Sequence, residues 1–255
     1  MKGQQQALDR GSILIKMLQV LANCEMAATR LLAPLLSLPE ISFQDSNDLA
    51  LIISDEARHG WLCRQKLLEI GGEAALPHAA AIEFLQPPNN LIKAFNRPLK
   101  TLADGVAFTA VMDLSADFLI GNFLDPQLRK LAKQLLADES RHIGFGWTRI
   151  PKSYLESPSQ TEDLLAEWVE LALDNFGRDY SRFDRLKLEY GLTRYPVARV
   201  KRSFAASVWG KIRKASEEAS RITGEKVVIL HPVVLNPYLK EFPAIRKRSA
   251  AVASA

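Results

Sequence analysis

The chain has little of what marks several protein classes. Its 255 residues include only two cysteines, Cys24 and Cys63, which do not form a Cys-x-x-Cys pair. This excludes a disulfide framework, and we predict that both are core residues. No apolar run reaches the roughly 18–20 residues that a transmembrane helix needs. Residues 1–20 lack the charged region, apolar block and cleavage site of a signal peptide, so we expect a cytoplasmic protein.

Charge is nearly balanced overall but uneven along the chain. Lysine and arginine total 33 against 29 acidic residues, which gives a net charge of +4 and a pI of about 9.0. Much of the excess lies in one predicted C-terminal helix and near the chain end, at Arg199, Lys201, Arg202, Lys211, Arg213, Lys214, Arg246, Lys247 and Arg248. Such a patch suits nucleic acid, an acidic protein or an anionic substrate. A solvated helix face is the simpler interpretation.

Apolar residues recur at helical spacing, which predicts an all-α protein. Four long helices are expected first, at about residues 8–38 with a bend near Pro34, 45–71, 99–123 and 126–150. The second is expected to start near Asp45 or Ser46, and Pro151 is expected to end the fourth. A proline-containing crossover over residues 72–97 would join the two hairpins, as in a four-helix bundle. Two more helices, at about 161–190 and 197–223, and an extended tail from Val227 complete the prediction.

Two Asp-Glu-x-Arg-His segments, residues 55–59 and 138–142, lie in the second helix of each predicted hairpin. Residues i and i+3 share a helix face, so Glu56 with His59, and Glu139 with His142, each present a carboxylate and an imidazole together. One such pair arises easily by chance, whereas two in equivalent helices do not. Charged groups in apolar stretches are costly to bury unless they are paired or bind a metal. The segments therefore predict metal binding.

A two-metal site in a helical bundle takes one further carboxylate from each remaining helix. On the first helix this is Glu25, the only acidic residue between Asp9 and Glu40. It precedes Glu56 by 31 positions, a separation that an antiparallel helix pair with a short loop brings to one level. We predict Glu25 as a ligand.

The third helix offers three aspartates and no glutamate. Counting back along the helix axis from its end, the level that matches Glu139 falls near Ala110. Asp113 is the nearest acid and is our predicted ligand. Asp117 lies closer to the loop and is either an alternative ligand or a residue that contacts the ligands rather than the metal. Asp104 lies too far away.

The residues that flank the ligands have a role of their own. A metal-bound histidine usually donates its other N–H to a carboxylate, which fixes the orientation of the ring. We expect Asp55 and Asp138 each to support the histidine of the opposite helix, and Arg58 and Arg141 to pair with these aspartates. An ordinary surface Asp–Arg network is the alternative, but it does not explain why both features occur twice.

The ligand pattern resembles that of the ferritin-like di-iron carboxylate superfamily, over roughly residues 15–150. The Asp-Glu-x-Arg-His form is similar to that of bacterial multicomponent monooxygenases and the ribonucleotide reductase small subunit, and residues 125–146 are similar to the fourth ligand helix of aldehyde-deformylating oxygenase. With the sequence pattern, this predicts a ferritin-like four-helix bundle over 1–155, two additional helices packed on it over 156–225, and an extended, partly disordered tail over 226–255. Aspartate replaces the usual third-helix glutamate. No tyrosine lies near the ligands, so no stored tyrosyl radical is expected.

The resemblance implies two iron ions, with a manganese–iron centre as an alternative, and an oxygenase or oxidase that uses O2 on a small, apolar organic substrate. No flavin or nicotinamide fingerprint is present, so electrons would come from a separate reductase or ferredoxin. Candidate pocket residues are Phe108, Met112, Phe118, Phe145 and Trp147, although such residues are more often simple core. The alternatives are a tRNA-modifying hydroxylase that uses the basic residues, and a metal-binding or oxidant-scavenging protein without an organic substrate. A homodimer is left open.

Overall fold

In the computed structural model, residues 9–76, 97–176 and 182–239 are described. Their helices are α1 (Arg10–Leu32), α2 (Phe43–Gly71), α3 (Leu102–Phe108), α4 (Leu114–Gly121), α5 (Pro126–Glu156), α6 (Pro158–Asn175), α7 (Arg182–Glu189), α8 (Val197–Thr223) and α9 (Asn236–Leu239). A π-helical turn, Thr109–Asp113, joins α3 to α4, and 3-10 turns occupy Ala33–Ser37, Glu73–Ala75 and Val233–Leu235. Within these ranges the only β-structure is an isolated bridge between Phe123 and Thr193. The predicted all-α class is confirmed.

Two sequence-based expectations lie outside the described residues. Most of the predicted proline-containing crossover falls in residues 77–96, and the part of the tail that was predicted to be disordered falls in residues 240–255. Within the described ranges, no helix combines the length and apolar character that a membrane span requires.

The chain forms two compact units, each assembled from several stretches of sequence. The first unit comprises residues 1–98, 122–135 and 178–196, and the second comprises residues 99–121, 136–177 and 197–255. In the first unit α1 packs along α2. A Cβ added at Gly60 would lie 2.9 Å from Met26 Sδ, and one at Gly71 would lie 3.0 Å from Ile15 Cδ1. Because the contact moves back along α1 as it moves forward along α2, the two helices are antiparallel.

The ends of the first hairpin follow local signals. The bend predicted near Pro34 is the 3-10 turn after α1. Helix α2 begins slightly earlier than predicted because Ser42 is its N-cap, and its Oγ accepts the Asp45 backbone N–H at 3.0 Å. The helix ends before Gly72, whose φ of +62° is readily adopted only by glycine.

The predicted end of the fourth helix at Pro151 is wrong, because α5 continues to Glu156. A proline inside a helix removes one backbone hydrogen bond. The next turns are nevertheless helical, and Ser157 N donates to Ser153 O at 2.9 Å. Ile150 and Pro151 are both buried, so packing offsets the lost bond.

The C-terminal half also departs from prediction in two places. The helix expected over residues 161–190 is two helices, α6 and α7, with the helix-weakening Gly177 in the intervening sequence. The tail is extended only as far as the 3-10 turn Val233–Leu235. Before that turn, the backbone N–H groups of Val227 and Ile229 donate to serine hydroxyls of α8, at 2.9 Å and 3.0 Å. These bonds hold the tail on α8, whose bounds are as predicted.

Candidate metal centre

In the first unit, Glu25 of α1 meets Glu56 and His59 of α2. Each residue contributes a donor atom, and these atoms lie within 4.8 Å of one another. His59 Nδ1 is 3.3 Å from Glu25 Oε2. All three side chains are buried, with residue exposures of 4% for Glu25, 3% for Glu56 and 0% for His59. We call this set the first cluster, and it places Glu25 at the level that the sequence spacing indicates.

Gly60 lets α1 and α2 approach closely at the first cluster. A Cβ at this position would lie 3.7 Å from Glu25 Cβ and only 2.9 Å from Met26 Sδ. Gly60 directly follows His59 and is itself buried. The small residue therefore keeps the carboxylate of α1 within reach of the imidazole of α2.

In the second unit, Asp113 meets Glu139 and His142 of α5. Donor atoms of these three residues also lie within 4.8 Å of one another. His142 Nδ1 is 3.9 Å from Asp113 Oδ2 and 3.8 Å from Glu139 Oε2. All three residues are buried. This second cluster repeats the composition of the first, with two carboxylates and one histidine.

The other two aspartates of the third helical segment have different surroundings. Asp104 Oδ2 accepts the Lys100 backbone N–H at 3.1 Å, while the Thr101 hydroxyl caps Asp104 N. Asp104 therefore belongs to the start of α3. Asp117 is half-buried opposite Lys211, and burial raises the pKa of its carboxyl group although Lys211 lowers it. Neither aspartate joins a cluster in the described part of the chain.

The count along the helix axis placed the third ligand near Ala110, about one helical turn before Asp113, which is the residue that lies in the second cluster. Ala110, where the count placed it, lies against Gly146 rather than beside Glu139. Trp147, a candidate for pocket lining, donates its indole Nε1–H to the Ala110 carbonyl at 2.6 Å. The π-helical turn that contains both Ala110 and Asp113 was not predicted, because a single extra residue in a turn leaves no clear mark on the apolar pattern.

The remaining pocket candidates pack in the core of the second unit. Phe108 meets Trp168 edge-on with ring centroids 5.1 Å apart, and Phe118 meets Phe204 at 6.0 Å. Met112 is buried, as are Phe108 and Phe145, whereas Phe118 is half-buried. These contacts are those of ordinary core residues.

Each Asp-Glu-x-Arg-His segment contains an internal ion pair. Arg58 Nη2 lies 3.4 Å from Asp55 Oδ1, and Arg141 Nη2 lies 3.2 Å from Asp138 Oδ1. The aspartate side chains are only 14% and 16% exposed, whereas the arginines are 45% and 52% exposed. The aspartates are thus mostly buried, and their arginine partners extend into solvent. Support of each histidine by the aspartate of the other segment stays a prediction.

Both clusters fit a divalent metal ion. Imidazole nitrogen and carboxylate oxygen bind such ions at about 2.0–2.2 Å, so two donors on one ion are at most about 4.4 Å apart. The separations of 3.3, 3.8 and 3.9 Å meet this limit. In the forms that bind metals, two carboxylates and a neutral imidazole carry two negative charges, which a divalent cation would balance. Oxygen and imidazole donors suit iron or manganese.

The two cysteines contribute no donor to a cluster in the described part of the chain. Cys63 is fully buried, and Cys24, which directly precedes Glu25, is half-buried. Burial raises the pKa of each thiol to about 12, with smaller contributions from Cys63 and Glu56 at Cys24. Because the thiolate is the form that binds metals, the structure agrees with core roles for both.

The basic residues of α8 do not form one exposed patch. Lys201 is buried and Lys211 is half-buried. The exposed members are Arg199, Arg202, Arg213 and Lys214. The basic residues at 246–248 lie outside the described residues. The exposed cationic face is therefore smaller than the sequence indicates.

Comparison with known proteins assigns no family to the chain. No family model matches the sequence, and no curated protein matches it. The likeness to the ferritin-like superfamily therefore rests on the ligand pattern. The structure adds that the carboxylates and histidines of that pattern are buried on helices and grouped in threes.

Proposed function

We propose that the protein is a non-haem di-iron oxygenase or oxidase of the ferritin-like type, which uses O2 to oxidise a small organic substrate. The observation that carries this proposal is the repeated set of two buried carboxylates and one buried histidine, once in each unit. A single set would suit many metal-binding proteins. Two sets of the same composition suit an enzyme that needs two similar ions.

The six side chains would hold the ions. Glu25, Glu56 and His59 would bind one, and the second cluster would bind the other. In the superfamily that the sequence resembles, this order of ligands belongs to one dinuclear centre, and we propose the same here on that ground. When bound, two ferrous ions supply the electrons and the open coordination positions that O2 reduction needs.

The chain itself would supply charge balance and exclusion of water. With both ions bound, four carboxylates neutralise two divalent cations, so the buried site carries little net charge. Met112 precedes the ligand Asp113, and Phe145 lies one helical turn after His142. These buried apolar neighbours would exclude water from the bound ions. A separate reductase or ferredoxin would supply further electrons, because no flavin or nicotinamide motif is present in the sequence.

Anaerobic loading with Fe(II) followed by exposure to O2 tests the proposal. We expect about two irons per chain by elemental analysis, magnetic coupling between them by Mössbauer spectroscopy, and O2-dependent oxidation of an apolar substrate when reductant is supplied. Zinc in place of iron, or no bound metal, contradicts the proposal. Consumption of O2 without an organic product would instead identify an oxidant scavenger.

The exposed basic residues of α8 favour one second candidate, a hydroxylase that acts on a base in tRNA. Arg199 and Arg202 lie one turn apart, and Arg213 and Lys214 continue the exposed charge along the helix. Binding through phosphates weakens steeply as salt rises. Salt-sensitive tRNA binding that is lost in an Arg199→Ala/Arg202→Ala variant would favour this substrate. Salt-insensitive or absent binding would exclude it.

A further inference from the structure

The third helical segment is interrupted immediately before its ligand. The π-helical turn Thr109–Asp113 separates α3 from α4, and its last residue is Asp113. Such turns are rare and occur mainly as single bulges at functional sites. One residue corresponds to about 100° of rotation in an α-helix. Rewinding the turn as α-helix would therefore rotate Asp113 relative to α3 and direct its carboxylate away from its present position.

The π-turn lies in close contact with α5 at Gly146. A Cβ added at Gly146 would lie 2.3 Å from Ala110 N and 2.5 Å from Ala110 Cα. Backbone atoms cannot move aside as a flexible side chain does, so only glycine fits here. Gly146 follows His142 by four residues and shares its helix face. The helix that carries two ligands of the second cluster therefore also contacts the segment that carries the third.

A side-chain hydrogen bond reinforces this contact. Trp147 is buried, and its Nε1–H donates to the Ala110 carbonyl at 2.6 Å. In an α-helix that carbonyl would accept the N–H of Leu114. The Leu114 N–H is instead directed at the Val111 carbonyl. The Trp147 indole thus gives the Ala110 carbonyl a hydrogen-bond donor from another helix. Rewinding the turn as α-helix would therefore gain less hydrogen-bond energy, because this carbonyl already has a donor.

Hydroxyl groups at both ends of the π-turn donate hydrogen bonds to backbone carbonyls of the preceding turn. Thr109 Oγ donates to Gly105 O at 3.1 Å, and Ser115 Oγ donates to Met112 O at 2.7 Å. Such bonds back to the helix's own carbonyls weaken and bend a helix locally. The same hydroxyl–carbonyl bonds occur in α-helical turns at Thr29 and Thr148, so they only permit the π-turn, and the contacts from α5 select it.

We propose that Gly146 and Trp147 are positioning residues: they clamp Ala110, hold the π-turn, and so place the Asp113 carboxylate in the second cluster. The metal-binding consequence rests on the proposed function, whereas the effect on the turn does not. Because Glu139, His142 and the clamp share α5, this one helix sets the position of all three donors of the second cluster.

Cobalt titration of four single variants tests the clamp. Trp147→Phe keeps an aromatic ring but loses the donor, and Gly146→Ala adds the clashing Cβ. Gly144→Ala and Trp209→Phe are the matched controls, because a Cβ at Gly144 meets nothing within 4 Å and Trp209 packs on His231. We expect the controls to bind two Co(II) ions like the wild type. The clamp variants should bind one normally and the other about 10–100-fold more weakly, with altered visible Co(II) bands.

Crystal structures of the metal-free variants provide a readout that needs no metal. We expect residues 109–113 to be α-helical in Trp147→Phe, with Asp113 turned away from His142. A retained π-turn with Asp113 in place overturns the proposal. Equal loss of cobalt affinity in Gly144→Ala also overturns it. Failure of the wild type to bind cobalt tells against the proposed function alone, and the clamp is then judged by the crystal structures.

Discussion

His59 Nδ1 lies 3.3 Å from Glu25 Oε2, although the two residues stand on different helices and both are buried. A carboxylate and an imidazole nitrogen at this distance fit two donors on one metal ion. The same relation recurs more loosely between His142 and Asp113, at 3.9 Å. The two pairs give each unit an equivalent set of donors.

Glu25→Gln should remove one metal ion per chain. The amide keeps the size of the side chain but carries no negative charge, so the first cluster no longer neutralises a divalent cation. We expect affinity at this cluster to fall by more than the about 10–100-fold that loss of an outer hydrogen bond costs. Glu69→Gln is the control, since Glu69 is exposed and its carboxylate pairs with Lys66 at the surface, away from both clusters. Two ions retained in Glu25→Gln would contradict the assignment.

Asp113→Ala and Asp117→Ala separate the two candidate ligands of the third segment. Asp113 lies in the second cluster, whereas Asp117 faces Lys211. We therefore expect Asp113→Ala to lose one of two bound ions, and Asp117→Ala to keep both. Elemental analysis of the purified variants decides between them, and the opposite result would make Asp117 the ligand.

The stability of the metal-free protein should depend on the ionisation of Asp117. Burial raises the pKa of its carboxyl group, with Lys211 opposing the shift. A group whose pKa is raised on folding stabilises the fold in its protonated form, and this contribution is lost as pH rises through the folded pKa. Asp117→Asn should therefore be more stable than the wild type at pH 7, and the gap should close below about pH 4. Urea unfolding at several pH values measures it, and a gap that widens in acid would refute the sign.

Both thiols should react slowly in the folded protein. With a pKa of about 12, roughly one thiol in ten thousand is ionised at pH 8, and the thiolate is the nucleophile. We expect Ellman's reagent to label neither cysteine within minutes, and to label both after denaturation. Cys24 is half-buried and Cys63 fully buried, so any slow native reaction should occur at Cys24 first. Fast labelling of native Cys63 would show that the pKa is not raised.

Local signals predicted much of the first hairpin. Ser42, Gly72 and the proline-bearing bend set the helix ends through capping and backbone geometry, which act over a few residues. The level of Glu25 followed from the antiparallel register of two long helices. The prediction that Pro151 ends a helix was wrong. The backbone hydrogen bond that a proline removes can be predicted from the sequence, whereas the burial that offsets this loss depends on packing partners far along the chain.

The sequence also could not predict which charged residues of α8 are exposed. Arg199, Lys201 and Arg202 are neighbours in sequence, yet Lys201 is buried while the two arginines are exposed. Net charge is a property of composition, but its distribution over the surface depends on which face of the helix packs inward. That face follows from the neighbouring helices.

By itself, the sequence determined the all-α class and the two carboxylate–histidine pairs, since Glu56 with His59 and Glu139 with His142 are joined by a single helical turn. The sequence favoured Asp113 over Asp117 by its level on the helix, but only the tertiary structure brought the Asp113 carboxylate to Glu139 and His142. That position depends on a π-turn whose Ala110 carbonyl accepts a hydrogen bond from Trp147, 37 residues away. Helical spacing is a short-range property of the backbone, whereas the turn is held by a contact that exists only after α5 has packed against it.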